Sequence, residues 1–338
     1  MKSVDQGREI VKASKLILLF AVASLVLAGC GGDQESQQGG GTNAEGLIAR
    51  EDINIQFVTH ATPDPFWTVV QNGVSKAEED MGVDVNYREL SSFDVVELQR
   101  NIESAIAADP DGMAVSIPDP QALNDAIRQA TEKGIPVIVL NAGENDWRDV
   151  GALTYVGQTE FDAGVAAGER MAQADVQNAI CINHQQGQVA LDQRCEGFTK
   201  GLGGNVKQVA VDGSDPTSAR NGIQTALRQN QDIDGMLTLN PGVADQALRA
   251  LKESGRSDQI TFATFDLSPS VLEAVRDGKM LFATDQQQYL QGYLPVVLLT
   301  NYIQYGVTPV KTEIPTGPAF ITKDNAEQVI TLAEEGVR

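Results

Sequence analysis

Residues 53–67 read INIQFVTHATPDPFW, and this stretch decides the fold. Ile53, Ile55 and Phe57 alternate with polar neighbours and run into a polar turn, the pattern of a strand over 53–58. A helix follows at once. Asp64 is of the type that caps free backbone N–H groups, and Pro65 suits the first helical position, where its missing N–H would have no partner anyway. Open α/β sheets hold ligands where the carboxyl end of a strand turns into a helix. The turn here offers His60, Asp64, Phe66 and Trp67, so a binding cleft is expected at this end of the sheet.

The alternation continues down the chain. Strands are predicted near 53–58, 83–87, 112–117, 136–140, 153–157, 178–182, 206–210, 235–239, 260–265 and 281–285, with helical patterns between them, as in βαβ units around parallel sheets. In the segment Gln121–Lys133, Leu123, Ile127 and Ala130 share one helical face; Asp119-Pro120 starts it, and Gly134 with Pro136 stops it. The same start signal recurs at Asp215-Pro216, Asn240-Pro241 and Ser268-Pro269, so these residues have a capping role with or without a ligand. The fold class is α/β, and 338 residues suit two domains. No linker separates them. Val156-Gly157-Gln158, Thr284-Asp285-Gln286-Gln287 and residues 312–318 are short polar joints that would suit chain crossings between two lobes.

Composition is that of a globular chain, 42% hydrophobic and 21% charged, but the net charge is −21. Residues 1–29 carry four basic and two acidic groups, so the remainder stands at −23. A surface this acidic argues against nucleic acid or anionic lipid as a partner. At the N-terminus, Lys12 and Lys15 precede the twelve-residue apolar run Leu16–Leu27, which suits a signal-peptide core and is too short to span a bilayer. The following Leu27-Ala28-Gly29-Cys30 resembles the lipobox of bacterial lipoproteins, which implies cleavage of residues 1–29 and lipidation of Cys30. Residues 30–51, rich in Gly, Gln and Ser, then read as a flexible leash, with folding starting near Asp52. Export leaves two readings for Cys181 and Cys195, fourteen residues apart: a disulfide, or two buried thiols on a strand and the following helix.

Catalytic constellations are missing. There are two histidines, His60 and His184, with no zinc-type spacing, no Cys-x-x-Cys, no nucleophile elbow, no phosphate loop and no dinucleotide fingerprint after the first strand. No enzyme activity, metal or cofactor is expected. Polar groups instead sit at predicted strand ends: His60 and Asp64 after the first, Ser116 ending the third, Asn141 after the fourth, His184 after the sixth, and Asn240, Asp266 and Gln286 after later ones. Planar amides and carboxylates exchange hydrogen bonds with vicinal hydroxyls, and flat rings cover the apolar face of a sugar. With few arginines among them, a neutral polyol fits better than a phosphorylated or carboxylated ligand.

Seven stretches in this order carry a resemblance: DPFW (64–67), GIPVIVLNAG (134–143), YVGQTEFDAG (155–164), ALDQRCEGF (190–198), LNPGVADQAL (239–248), TFDLSP (264–269) and ATDQQQYLQGY (283–293). Behind a lipobox, they resemble the sugar-binding proteins of bacterial ABC importers, the type I periplasmic binding family in its ribose-binding-like form. The resemblance implies two Rossmann-like parallel-sheet lobes joined by three crossover segments, residues 52–157 plus 287–315 and residues 158–286 plus 316–338. It implies that Asp64, Phe66, Trp67 and Asn141 line one wall, that Asp192, Asn240, Phe265 and Asp266 face them, and that Gln286 sits at a crossing. It also implies a lipid-anchored, exported monomer that hands one neutral sugar or polyol to an ABC transporter permease. A sugar or quorum-signal receptor feeding a chemoreceptor or sensor kinase is the alternative; a repressor is disfavoured by the lipobox and the charge. Two departures stand out: Asn141-Ala142 where the ribose-binding pattern has Asp-Arg, and Asp192 where it has an arginine. With two charged donors expected to be missing, another pentose, a hexose, an inositol or a sugar alcohol is favoured over ribose.

Overall fold

The computed structural model describes residues 48–62, 64–309 and 313–338. The export run, Cys30 and the leash up to residue 47 lie outside the described residues, as does Thr312 in the third joint. Residues 48–51, expected in the leash, are packed: Arg50 Nε donates to Gln304 Oε1 (2.9 Å), Gln304 Nε2 donates to the Ile48 carbonyl (3.3 Å), and Ala49 is buried. Among the described residues, no helix is long and apolar enough to cross a membrane.

The first sheet opens with β1 (Asn54–Val58), α1 (Pro65–Met81), β2 (Asp84–Arg88), α2 (Val95–Ala107), β3 (Gly112–Val115), α3 (Pro120–Glu132), β4 (Val137–Leu140) and β5 (Thr154–Gly157). The chain then crosses to a second set: α4 (Glu160–Gln173), β6 (Asn178–Asn183), α5 (Val189–Leu202), β7 (Asn205–Ala210), α6 (Pro216–Gln229), β8 (Gly235–Thr238), α7 (Pro241–Glu253), β9 (Thr261–Phe265), α8 (Pro269–Arg276) and β10 (Ala283–Asp285). It returns through α9 (Gln288–Tyr305) and β11 (Ile314–Pro315), then crosses again to β12 (Ala319–Ile321) and α10 (Ala326–Glu334). The sheet orders are β11-β5-β4-β3-β1-β2 and β12-β10-β9-β8-β6-β7, with every pairing parallel except β10 with β12. Ten strands fall within two residues of their predicted spans. β11 and β12 were not predicted, because two or three residues carry no periodicity.

The inner strands β3, β4 and β8 are buried throughout and read as near-continuous apolar runs, whereas the edge strands β2 and β7 are polar and partly exposed. In β3, Met113 and Val115 pack with α2 and α3, while Ala114 turns to the core shared with α1 and α9. The Asx-Pro and Ser-Pro starts all cap helices: Asp64, Asp119, Asp215, Asn240 and Ser268 each accept from a backbone N–H two or three residues on. Cys181 in β6 is disulfide-bonded to Cys195 in α5.

In each sheet the first strand lies between the second and third, so the chain turns from one side to the other beside β1 in one sheet and β6 in the other. Ligand crevices in such sheets form at that point, outside the strands' carboxyl ends.

Two helix pairs lie backbone to backbone. On α4 and α5, a Cβ added at Gly197 would stand 2.0 Å from the Phe161 carbonyl oxygen, and one at Gly164 would stand 2.3 Å from that of Arg194. On α1 and α9, one at Gly292 would stand 2.0 Å from the Val70 carbonyl oxygen. Backbone atoms cannot swing aside as a side chain would, so any larger residue must push the helices apart. Gly197→Ala is therefore expected to cost about 1–3 kcal/mol in urea unfolding; an unchanged midpoint would mean that α4 and α5 separate freely.

Candidate functional site

Between the two sheets lies a small, open-sided pocket with a cavity volume of about 30 Å³. His60, Asp64, Phe66, Trp67 and Asn141 line it from the first sheet's side. His184, Gln185, Gln188, Leu191, Arg194, Leu239, Asn240 and Asp266 line it from the second, with Gln286 at the second crossing.

His60 follows β1 and is buried. Its backbone N–H and its ring Nδ1 both meet Ser116 Oγ, at 3.0 and 2.8 Å, and its Nε2 lies 2.6 Å from Gln188 Nε2 across the cleft. The Gln188 N–H donates, so His60 Nε2 accepts and Nδ1–H donates to Ser116: the ring is neutral, with its proton on Nδ1. Burial, then the Arg194 charge, then His184, lower its pKa to about 3. Trp67 and Phe93 meet the imidazole edge-on, at 4.9 and 6.0 Å between centroids. A second bond crosses the cleft from the Val189 N–H to the Pro118 carbonyl, 3.2 Å. His184, its pKa lowered to about 3 by burial and Arg194, has no partner for Nδ1 among the described residues.

On the opposite wall Arg194 is the pocket's cation. Its Nε donates to Glu160 Oε2 and its Nη2 to Glu160 Oε1 (2.9 Å), while Gln158 Nε2 also donates to Glu160 Oε2 (3.0 Å). Burial works against the guanidinium charge, but Glu160 more than offsets it and raises the pKa above the usual arginine value. The guanidinium sits 4.9 Å from the Phe265 ring centroid. Nη1 forms no hydrogen bond among the described residues, which leaves a donor toward the cavity.

Two carboxyls complete the pocket. Asp266 is buried, which raises its pKa to about 7 against the pull of Arg194 and of the Gln286 Nε2 bond to its Oδ1 (2.5 Å); Glu160 and Asp64 push it higher. Asp64 is raised to about 6 by burial, against bonds from the Trp67 N–H and the Thr62 hydroxyl. Asn141 and Asp266 hold matching places after β4 and β9, both in the left-handed region at φ 62° and 67°. Asn and Asp tolerate that region better than other residues with a Cβ.

Nine of the twelve residues singled out from the sequence line the pocket. Ser116 does not: fully buried, it orients His60. Phe265 lies under Arg194 and reaches no open space. Asp192 accepts from Asn183 Nδ2 (2.9 Å) and Gln208 Nε2 (2.8 Å) instead. At about 100° per helical residue, Leu191 and Arg194 share the face of α5 that meets the cleft, and Asp192 points away from it. One charged donor expected to be missing is thus present, as Arg194. Gln185, Gln188, Leu191 and Leu239 were also missed; only the arginine in ALDQRCEGF carried a sequence signal.

Residues 55–306 match the periplasmic binding protein domain family. A crystal structure of a carbohydrate transporter from Acidothermus cellulolyticus, in complex with myo-inositol, superposes with a TM-score of 0.81 at 37% identity, over 85% of this chain and 99% of that one. The xylose/arabinose-binding protein XylF of Sulfolobus acidocaldarius is 26% identical over 291 residues, 81% of this chain and 72% of its own length. The ribose import binding protein RbsB of Salmonella typhimurium is 25% identical over 233 residues, 67% of this chain and 76% of its own.

The raised carboxyl has a consequence for stability. An unfolded chain loses the Asp266 proton near pH 3.8, whereas the folded protein keeps it to about pH 7. The folded state binds more protons in that window, so this group's contribution is fully present below about pH 4 and is lost as pH rises to about 7. His60 and His184, neutral when folded, act in the opposite sense between about pH 3 and 6.5. Asp266→Asn should therefore gain stability relative to the parent as pH rises from 4 to 7, measured by urea unfolding at several pH values. Parallel profiles would show that Asp266 ionises as it would in water.

Proposed function

The chain belongs to the periplasmic binding protein family, and from that membership we propose that it captures one neutral monosaccharide or polyol between its lobes and delivers it to the permease of an ABC importer. Members of the family are solute-binding proteins of the extracytoplasmic space, not enzymes. The observation that carries the choice of ligand is the pocket's charge: its one arginine is already tied to Glu160, and Asp64 and Asp266 stand beside it. A phosphate or carboxylate would meet no uncommitted cation there. Atoms without a partner among the described residues are of both kinds: Asn141 Oδ1 accepts, Asn240 Nδ2 and Arg194 Nη1 donate, and Asp266 Oδ2 accepts when ionised and donates when protonated. A ring of hydroxyls, each able to do both, matches that set. The myo-inositol complex of the Acidothermus relative and the pentoses named for XylF and RbsB agree in chemistry, which makes cyclitols and pentoses the first ligands to try.

We assign residues 52–157 plus 287–315 to one lobe and 158–286 plus 316–338 to the other, in keeping with sheet membership. The His60–Gln188 and Val189–Pro118 bonds span the cleft, so opening would break them. A ligand that bridges the lobes adds contacts found only in the closed state and shifts the population toward it. Cys30, the last residue of LVLAGC, is the proposed lipid anchor, with the leash behind it and a monomer above the membrane.

A thermal-shift screen against pentoses, hexoses, inositols and sugar alcohols tests the ligand class. At 100 times its dissociation constant, a ligand stabilises by about 2.7 kcal/mol, a clear rise in melting temperature. Asp266→Ala should abolish that rise without unfolding the protein. A response only to peptides or charged metabolites would overturn this reading of the pocket. For the anchor, intact mass spectrometry of the membrane fraction should find a chain starting at Cys30 with added acyl mass; an unmodified chain would exclude lipidation.

A further inference from the structure

Gln291 lies in the first turn of α9, fully buried and away from the pocket surface. Its amide nevertheless joins the pocket's two walls. Asn141 Nδ2 donates to Gln291 Oε1 at 3.0 Å. Gln291 Nε2 in turn lies within donating distance of the Gln286 carbonyl (3.2 Å), Gln286 Oε1 (3.1 Å) and Thr316 Oγ1 (3.1 Å). Gln286 Nε2 passes the chain on to Asp266 Oδ1. One amide thus links a residue after β4, the second crossing, the third crossing and a residue after β9.

We propose that Gln291 is a positioning residue that sets the donor and acceptor pattern of the pocket by fixing which way the amides of Asn141 and Gln286 face. The proposal rests on reading the pocket as a polyol site. A carboxamide is nearly symmetric in shape, so its orientation is decided by its bonds. If Asn141 flipped, its oxygen would meet Gln291 Oε1. With Nδ2 held by Gln291, Asn141 Oδ1 is left for the cavity. If Gln286 flipped, two NH2 groups would face each other and its oxygen would meet the Asp266 carboxyl. With Oε1 held by Gln291, Gln286 occupies Asp266 Oδ1 and leaves Oδ2. Gln291 therefore frees Asn141 Oδ1 on one side of the pocket and Asp266 Oδ2 on the other.

Methionine, of similar length, neither donates to Gln286 nor accepts strongly from Asn141, and an ionised glutamate has no donor for Gln286. The backbone cannot shift to compensate, because the neighbouring Gly292 lies against the carbonyl of Val70 in α1.

Gln291→Met and Gln291→Glu, made in the full chain, test the proposal with two readouts. The first needs no ligand: carbon-13 NMR follows the Asp266 carboxyl through a pH titration, assigned with Asp266→Asn. Arg194 on α5, Glu160 at the start of α4 and Asp64 ahead of α1 face that carboxyl and are unchanged in both variants. A freed Gln286 no longer holds its proton donor on Asp266, so the carboxyl should titrate at higher pH in Gln291→Met, which adds no charge, than in the parent. The second is calorimetry with myo-inositol and D-xylose, where about tenfold or greater loss of affinity is expected, with a circular dichroism spectrum matching the parent. Identical carboxyl titrations of Gln291→Met and the parent overturn the proposal, and so does affinity within twofold of the parent in both variants. If the parent binds neither probe, the polyol reading fails, and the ligand-free titration still decides the role of Gln291.

Discussion

Backbone packed on backbone, at the two glycine-lined helix pairs, is the constraint on which the site depends. α4 begins immediately after the first crossing, and α5 carries Arg194. Only because Gly164 and Gly168 face Gly197 and Gly201 without side chains between them does Glu160, at the first position of α4, reach the guanidinium two-fold. α1 and α9 repeat the arrangement in the other half. Phe66 and Trp67 stand at the start of α1 and Gln291 near the start of α9, drawn together by Gly73 and Gly292.

The interior between the sheets is polar and charged, which only dense pairing makes tolerable. An uncompensated carboxylate or guanidinium at such depth costs several kcal/mol. Glu160 answers Arg194, Gln286 answers Asp266, and the helix start answers Asp64. Both histidines give up their protons instead, because burial disfavours the charged ring and Arg194 repels it. All three crossings take part: Gln158 and Glu160 in the first, Gln286 in the second, Thr316 in the third. The crossings between the two sheets also hold the pocket's polar groups, so the path of the chain there and the site geometry are coupled by hydrogen bonds.

Much of this was legible in the chain before any coordinates. Alternation in INIQFV, the recurring Asx-Pro starts, and polar groups at strand ends gave ten strands, five capped helices and nine of the pocket's residues. Asp192 was misread because its place beside Leu191 in sequence says nothing of the face on which α5 meets the cleft. Ser116 and Phe265 stand beside the pocket rather than in it: one orients an imidazole, the other underlies a guanidinium.

By itself, the sequence determined the α/β alternation, the positions of the helix starts and the polar end of each strand, because these follow from side-chain period and from capping chemistry within a few residues. Only the tertiary structure decided which polar groups meet. Asn141 and Gln291 are 150 residues apart, and His60 and Gln188 are 128 apart. No local pattern records such a pairing. It exists because two helix pairs approach closely enough to bring separate turns together, and because a buried amide or charge is stable only where the fold supplies its partner.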